Sequence, residues 1–261
     1  MEEKRIRVYW CEDSLEGILT GIHTAYHSRY GHRFIRIREG EYLEQDLFSD
    51  SIRVETDFRK AESVARSIQE KISREAWEII RRASLHYREG KAQDIYRFLN
   101  YGYQMGRSVV SFLGEEHIQR VMYDYKTVTR EWERMMGFTR FRELEDGSLY
   151  AQIGPKSNLI PLLAEHFADR FPEERWILYD DTRKLLAYHV PNQGWNMMRG
   201  DITSYLPNRE AAQEQEEMEQ CWKSFFESIA IEARKNLNRQ QQMLPKYYRK
   251  YFSKCGDKTF D

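Results

Sequence analysis

Residues 137–183 read GFTRFRELEDGSLYAQIGPKSNLIPLLAEHFADRFPEERWILYDDTR, and the way this stretch folds decides the architecture. Thr139–Ile153 alternates as a hairpin, and its register hangs on the turn at Asp146–Gly147. A two-residue turn would put Arg140 and Arg142 on one face with Leu149, Ala151 and Ile153. A three-residue turn with Gly147 left-handed instead groups Phe141, Leu149, Ala151 and Ile153. Burying two unpaired guanidiniums would cost several kcal/mol. A one-residue slip flips every side chain, so the second register is expected. It leaves Arg140, Arg142, Tyr150 and Gln152 on the opposite face.

Further along, Asn158 is placed to cap a helix that tolerates Pro161 in its first turn. Leu159, Leu163 and Phe167 form its core stripe. Leu162, His166 and Arg170 run beside that stripe, and Pro172 ends the helix. Trp176–Tyr179 and Lys184–Val190 then read as strands joined through Asp180–Arg183. Gln193–Asn208 is rich in Gly, Asn and Pro and reads as a loop.

Towards the N-terminus, Ile6–Cys11 alternates as a strand. Asp13 and Glu16 form a D-x-x-E capping box for a helix over 14–30. Arg33–Asp50 reads as irregular and Ser51–Thr56 as a short strand. Asp57 and Ser73 are the caps of the next two helices. Val121, Tyr125, Val128 and Trp132 mark a later helix over 118–136, a core stripe at helical spacing. A long final helix is expected over 210–236, with Met218, Trp222, Phe225, Phe226, Ile229 and Ala233 in period. Together these predict an α+β protein: a predominantly helical single domain over residues 1–261, with a small antiparallel sheet of hairpins.

Charged residues make up 32% of the 261, above the usual quarter or so. That excess suits helices with an ionic surface. The formal net charge of −1 hides local extremes, so the whole-chain balance excludes no partner. Cys11, Cys221 and Cys255 are odd in number and lack a CxxC pair. They read as reduced thiols of a cytoplasmic protein rather than a disulfide frame or zinc site. MEEKRIRVYW lacks the apolar core of a signal peptide. No apolar run approaches the ~18 residues that span a bilayer, so no membrane association is expected.

Two places invite chemistry. From Ala233 to Gly256 there is no Asp or Glu. Arg234, Lys235, Arg239, Lys246, Arg249, Lys250 and Lys254 are interleaved with Tyr247, Tyr248, Tyr251 and Phe252. Cations neutralise phosphates and aromatic faces accept stacked bases. The same residues also suit a basic helix end whose tyrosines dock the tail on the body. Secondly, His166 and Arg170 could form an ionic site with Asp180, Asp181 or Arg183, His166 serving as an acid or base with Asp180 as its partner. A packed histidine and plain turn chemistry at Asp180–Asp181 fit these residues too. Paired carboxylates beside a histidine suit a divalent metal, but the spacing matches no ligand pattern. No metal or cofactor is expected. His23 and His27 read as ordinary surface residues. No Walker loop, GxGxxG or GxSxG occurs, which disfavours nucleotide hydrolysis and familiar acyl transfer.

Nearly the whole chain resembles a bacterial family of DNA-metabolism proteins built on a domain of unknown function. Asp13–Gly17 (DSLEG) looks like that family's opening G-S-F-E-G. Gly137–Phe141, Leu144–Gly147 and Tyr150-Ala151 resemble its central hairpin. His166-Phe167, Arg170-Phe171, Trp176, Tyr179-Asp180 and Arg183 resemble its helix-and-strand block. Trp222, Phe225, Ile229–Glu232, Arg234, Asn236, Gln240 and Pro245 resemble its closing motif. Two departures stand out. Glu131–Arg134 reads EWER where the family often has Glu-x-His-Arg, and Tyr248 stands where it tends to have Trp.

Members of that family are encoded beside a radical-SAM protein of DNA modification or repair. Related domains are fused to uracil-DNA-glycosylase-like proteins. The resemblance therefore implies a role in DNA repair or modification alongside that partner, and assigns no catalytic residue. With the charge pattern, it gives the expectation of a DNA-binding accessory protein. Arg140, Arg142, Arg234, Arg239, Lys246, Arg249 and Lys250 would hold the phosphates, and His166, Arg170, Asp180 and Arg183 would form a polar pocket or partner contact. An enzyme acting on a base or phosphodiester through His166 and Asp180, and a structural subunit without DNA contact, are the alternatives.

Overall fold

A computed structural model of the chain describes residues 5–42, 49–144, 146–200, 246–249 and 251. The chain divides into two compact units, residues 1–131 and 132–261.

In the first unit, strand β1 (Ile6–Cys11) lies between β2 (Ile35–Glu39) and β3 (Ser49–Arg53), parallel to both. Parallel neighbours need a crossover, and helix α1 (Leu15–His27) supplies the one between β1 and β2. Its Ile18, Leu19, Ile22 and Ala25 are buried in the core with Ile35 and Ile37. Helix α2 (Phe58–Lys71) packs on α1 and puts Val64 and Ile68 into the same core. Helices α3 (Arg74–Ala83) and α4 (Lys91–Met105) follow. α4 is buried on most sides through Ile95, Tyr96, Phe98 and Leu99. Each such apolar side chain contributes roughly 1.5–3 kcal/mol on burial.

The local signals are mixed. Asp57 caps α2 and Ser73 caps α3, as expected. At α1 the cap is Ser14, whose Oγ accepts the Gly17 N–H at 3.0 Å. Asp13, expected to cap, instead meets Lys91 Nζ at 2.6 Å. The segment expected to be irregular contains β2, where Ile and Arg alternate and Ile35 and Ile37 are buried.

Helix α5 (Glu116–Phe138) carries the boundary between the units. In the second unit, β4 (Arg142–Glu143) and β5 (Leu149–Ile153) form the expected hairpin. Arg142 sits opposite Tyr150, Leu144 N–H donates to the Ser148 carbonyl, and Gly147 has φ 75°. That is the three-residue turn. Phe141 faces the core and meets Phe167 edge-on at 4.9 Å and Trp176 at 6.3 Å.

Helix α6 (Ile160–Arg170) then returns the chain, so β6 (Trp176–Asp180) pairs parallel to β5. β7 (Leu185–Val190) and β8 (Gly194–Arg199) add antiparallel strands in the order β4-β5-β6-β7-β8. Its N-cap is Leu159, without the side-chain bond expected of Asn158.

The class is α+β, but the expected small antiparallel sheet of hairpins is corrected. One sheet has three parallel strands and the other five mixed strands. The reason is the two helical crossovers: reading consecutive strands as hairpins overlooks that a helix between them reverses the chain twice. β8 also occupies part of the expected loop. The expected helix over 210–236 lies outside the described residues. Among the described residues no helix is long and apolar enough to cross a membrane.

Candidate nucleic-acid interface

The expected basic hairpin face is only partly a wet face. Tyr150 is 1% exposed and clusters with Tyr179 and Leu186. Arg142 lies over the Tyr150 ring, its guanidinium carbon 4.9 Å from the centroid, a cation–π contact that keeps its N–H edges available. Arg140 precedes β4 and is exposed. Its Nη1 donates to the carbonyls of Gly137 at 2.7 Å and Thr139 at 3.1 Å. Both arginines therefore stand at the mouth of the hairpin, held by neutral partners.

At the other end of β5 the tail returns. A Cβ on Gly154 would collide with the Tyr251 ring, so the glycine is what admits that ring. Tyr248 is buried, while Tyr247 is exposed. The short helix Lys246–Arg249 links them. Two of the tail's tyrosines thus serve as anchors. A strand advances ~3.3 Å per residue, which puts Gly154 roughly 13 Å along β5 from Tyr150, the partner of Arg142. Arg234, Arg239 and Lys250 lie outside the described residues. Lys246 and Arg249 belong to the short helix.

The polar pocket is assembled only in part. Asp180 is buried at the end of β6. Its Oδ1 accepts the N–H groups of Thr182 at 2.9 Å and Arg183 at 3.3 Å, and its Oδ2 accepts Arg183 Nη1 at 3.0 Å. The same guanidinium donates to the carbonyls of Pro155 and Lys156. Burial pushes the Asp180 carboxyl up from its ordinary value, opposed by Arg183. The pair ties the β6–β7 turn to the segment after β5. His166, half-buried on α6, meets the Phe167 ring. Arg170 is exposed beside Phe171. Among the described residues no hydrogen bond or ion pair joins His166 or Arg170 to Asp180 or Arg183.

A dense polar cluster among the described residues lies in the first unit, where none is expected from the sequence. Arg88 Nε and Nη2 grip Asp124 at 3.1 and 2.5 Å, and Nη2 also reaches Asp94 at 2.7 Å. Both carboxylates are buried. His117 Nδ1 lies 2.7 Å from Asp94 Oδ1, and Arg120 Nη1 lies 3.7 Å from it. Burial alone would lower the Arg88 pKa, but Asp124 and Asp94 outweigh it and hold the guanidinium above its ordinary value.

His86 Nδ1 lies 3.5 Å from Asp124 Oδ1. That is not an ion pair, because the same nitrogen accepts the Arg88 backbone N–H at 3.0 Å. Burial accordingly lowers the His86 pKa, against the pull of Asp124, and the ring is neutral. Lys91, also buried, donates to the His86 carbonyl at 2.6 Å. Glu39 accepts the Lys91 and Ala92 N–H groups at 3.0 and 3.3 Å, so a carboxylate fills the α4 N-terminus.

A sequence signal for this network did exist. His117, Asp124 and Glu131 recur every seven residues on α5, among the buried Val121 and Val128. The stripe expected through Tyr125 and Trp132 is displaced: those two are half-buried, while Asp124 and Glu131 are buried.

Fold and site together describe an α+β protein of two sheet-containing units, with an arginine-flanked hairpin in one and a buried ionic network in the other. The chain belongs to the DUF4130 family, a domain of unknown function whose profile matches residues 89–253. No curated protein and no solved structure matches it. The expected kinship with a family built on a domain of unknown function is thereby shown over that stretch.

Proposed function

We propose that this is a cytoplasmic DNA-binding accessory protein in DNA repair or modification, acting with a radical-SAM protein. The observation that carries the reading is the anchoring of the acid-free tail by Tyr251 against Gly154, on the strand whose other end faces Arg142. Tyr251, which follows Lys246, Arg249 and Lys250 in the sequence, meets Gly154, and Gly154 lies roughly 13 Å by strand geometry from Tyr150, the partner of Arg142. Arg140 donates to backbone carbonyls and Arg142 lies over the Tyr150 ring, and among the described residues neither forms an ion pair with a carboxylate. The DNA-metabolism resemblance supplies the biological setting, and the radical-SAM partner rests on it alone.

The test is a salt titration of the full chain with labelled single- and double-stranded oligonucleotides, read by fluorescence anisotropy. If about four cations each neutralise a phosphate, duplex affinity falls roughly a hundredfold between 50 and 200 mM salt. Arg140→Ala with Arg142→Ala should flatten the slope by about two units. Absence of binding to both oligonucleotides at 50 mM salt, or a flat profile, overturns the reading and leaves a structural subunit. Copurification with the radical-SAM protein tests the partnership separately.

A further inference from the structure

Two exposed tyrosines converge on the buried histidine of the first unit. Tyr87 is 51% exposed and its ring stacks on His86, centroids 4.3 Å apart with planes at 24°. Tyr123, on α5, is 61% exposed and meets the same imidazole edge-on at 6.2 Å. Singly exposed aromatics are commonplace. Two that share one buried ring make a surface of defined shape.

That surface is held from beneath. His86 receives the Arg88 N–H, its carbonyl receives Lys91 Nζ, and its own N–H donates to the Ala83 carbonyl at 3.1 Å. Arg88 in turn grips Asp124, the residue after Tyr123. The buried ionic network thus locks the segment after α3 onto α5. It fixes the position of both rings.

The charge beside the rings points to the ligand. On α5, Arg120, Tyr123, Lys126 and Arg130 fall within about 120° of arc and about 15 Å of length, from ordinary helix geometry. Arg120 is engaged by Glu116 and Asp94. Lys126 and Arg130 are exposed and form no ion pair among the described residues. Aromatic faces flanked by uncompensated cations are what an unpaired nucleic-acid strand needs: stacking for bases and charge for phosphates. A duplex keeps its bases stacked internally and offers the rings nothing.

We propose that Tyr87 and Tyr123 form a stacking platform for the bases of single-stranded nucleic acid, with Lys126 and Arg130 on its phosphates. This rests on the nucleic-acid reading above and deepens it by naming the strand form and a second contact surface.

The experiment compares full-length wild type, Tyr87→Ala/Tyr123→Ala, Tyr87→Phe/Tyr123→Phe and Arg140→Ala/Arg142→Ala on a labelled 20-mer, single-stranded and as a duplex, at 50 mM salt. The double alanine variant should lose about tenfold or more on the single strand and stay within about twofold of wild type on the duplex. The phenylalanine variant, which keeps both faces, should bind the single strand like wild type. Unchanged single-strand binding by the double alanine variant overturns this proposal while leaving the nucleic-acid reading intact, and so does an equal loss on the duplex. Failure of wild type to bind either oligonucleotide overturns both.

Discussion

Replacing Arg88 with alanine should be the most damaging single change to the polar interior of the first unit. Arg88 is 29% exposed, but it serves two carboxylates whose side chains are 2% (Asp94) and 1% (Asp124) exposed. Removing one partner of a buried ion pair costs about 3–5 kcal/mol, because the other charge stays behind without a donor. The two carboxylates do not suffer equally. Asp94 keeps His117 at 2.7 Å and Arg120 at 3.7 Å. Among the described residues Asp124 keeps His86 Nδ1 nearby, and that nitrogen is already an acceptor for the Arg88 N–H. Water can enter where the partly exposed guanidinium stood. These considerations favour the low end, about 3 kcal/mol, equivalent to roughly 10 °C in melting temperature for a unit of this size. Because two units need not unfold together, hydrogen exchange at the α4 and α5 amides is the right readout. Arg88→Lys keeps a charge but loses the fork and should fall between. Arg88→Met with Asp124→Leu should recover part of the loss, since no orphan charge remains. Protection in Arg88→Ala within about 1 kcal/mol of wild type, or no recovery in the double variant, refutes the reasoning.

Other expectations follow from the same geometry. Burial lowers the folded-state pKa of His86, His23 and His32. A depressed folded value gives stability that is present above the unfolded value of about 6.5 and lost as pH falls below it. Glu39 is raised by burial and acts with the opposite sign, at lower pH. Urea unfolding of the first unit should therefore weaken from pH 8 to pH 5.5, and His86→Phe should make that dependence shallower; an unaltered slope would count against a neutral buried His86. Gly154→Ala should displace Tyr251 and speed tryptic cleavage at Lys246, Arg249 and Lys250, with Tyr251→Ala producing the same release from the other side. Digestion at the wild-type rate in both variants would mean that the tail is anchored elsewhere. Gly102→Ala sets a Cβ 2.6 Å from Ile72 Cδ1 and should destabilise the first unit by about 1–3 kcal/mol, less if Ile72→Val makes room.

The parts of the fold that sequence made legible are those decided over a few residues. Avoidance of buried guanidiniums set the β4–β5 register, and Gly147 shows its left-handed φ where the turn requires it. The caps at Asp57 and Ser73 needed only a side chain and the next three amides. What escaped was decided at long range. β2 is a strand because β1 offers it a parallel edge, and the Ile/Arg alternation at 35–38 looks no different in a loop. Asp13 left its capping role for Lys91, 78 residues away. The Arg88 network was hidden because charged residues on a helix are ordinarily assigned to solvent. Only the three-dimensional pairing of 88 with 94 and 124 shows that burial is tolerable. For His166 and Asp180 the residue types alone leave a pairing and plain turn chemistry equally open. Asp180 meets its hydrogen-bonding needs locally, through its own turn and Arg183.

Two separable forces would then act on a bound strand, and they respond differently to salt. Phosphate contacts release counterions, with a slope near −0.7 per neutralised charge on single strands. Lys126 and Arg130 would together contribute about −1.4, or roughly a sevenfold loss between 50 and 200 mM salt. Stacking on Tyr87 and Tyr123 releases no counterions and should persist across that range. Removing the rings should therefore lower single-strand affinity by a similar factor at every salt concentration and leave the slope unchanged. Removing the cations should change the slope and converge on wild type as salt rises. The buried network makes this separation physical. Arg88 is committed to Asp94 and Asp124, so it can orient the platform without adding its own charge to the binding face. Single-strand affinity that falls in parallel with both sets of substitutions, with the same change of slope, would mean that rings and cations do not act as independent contacts.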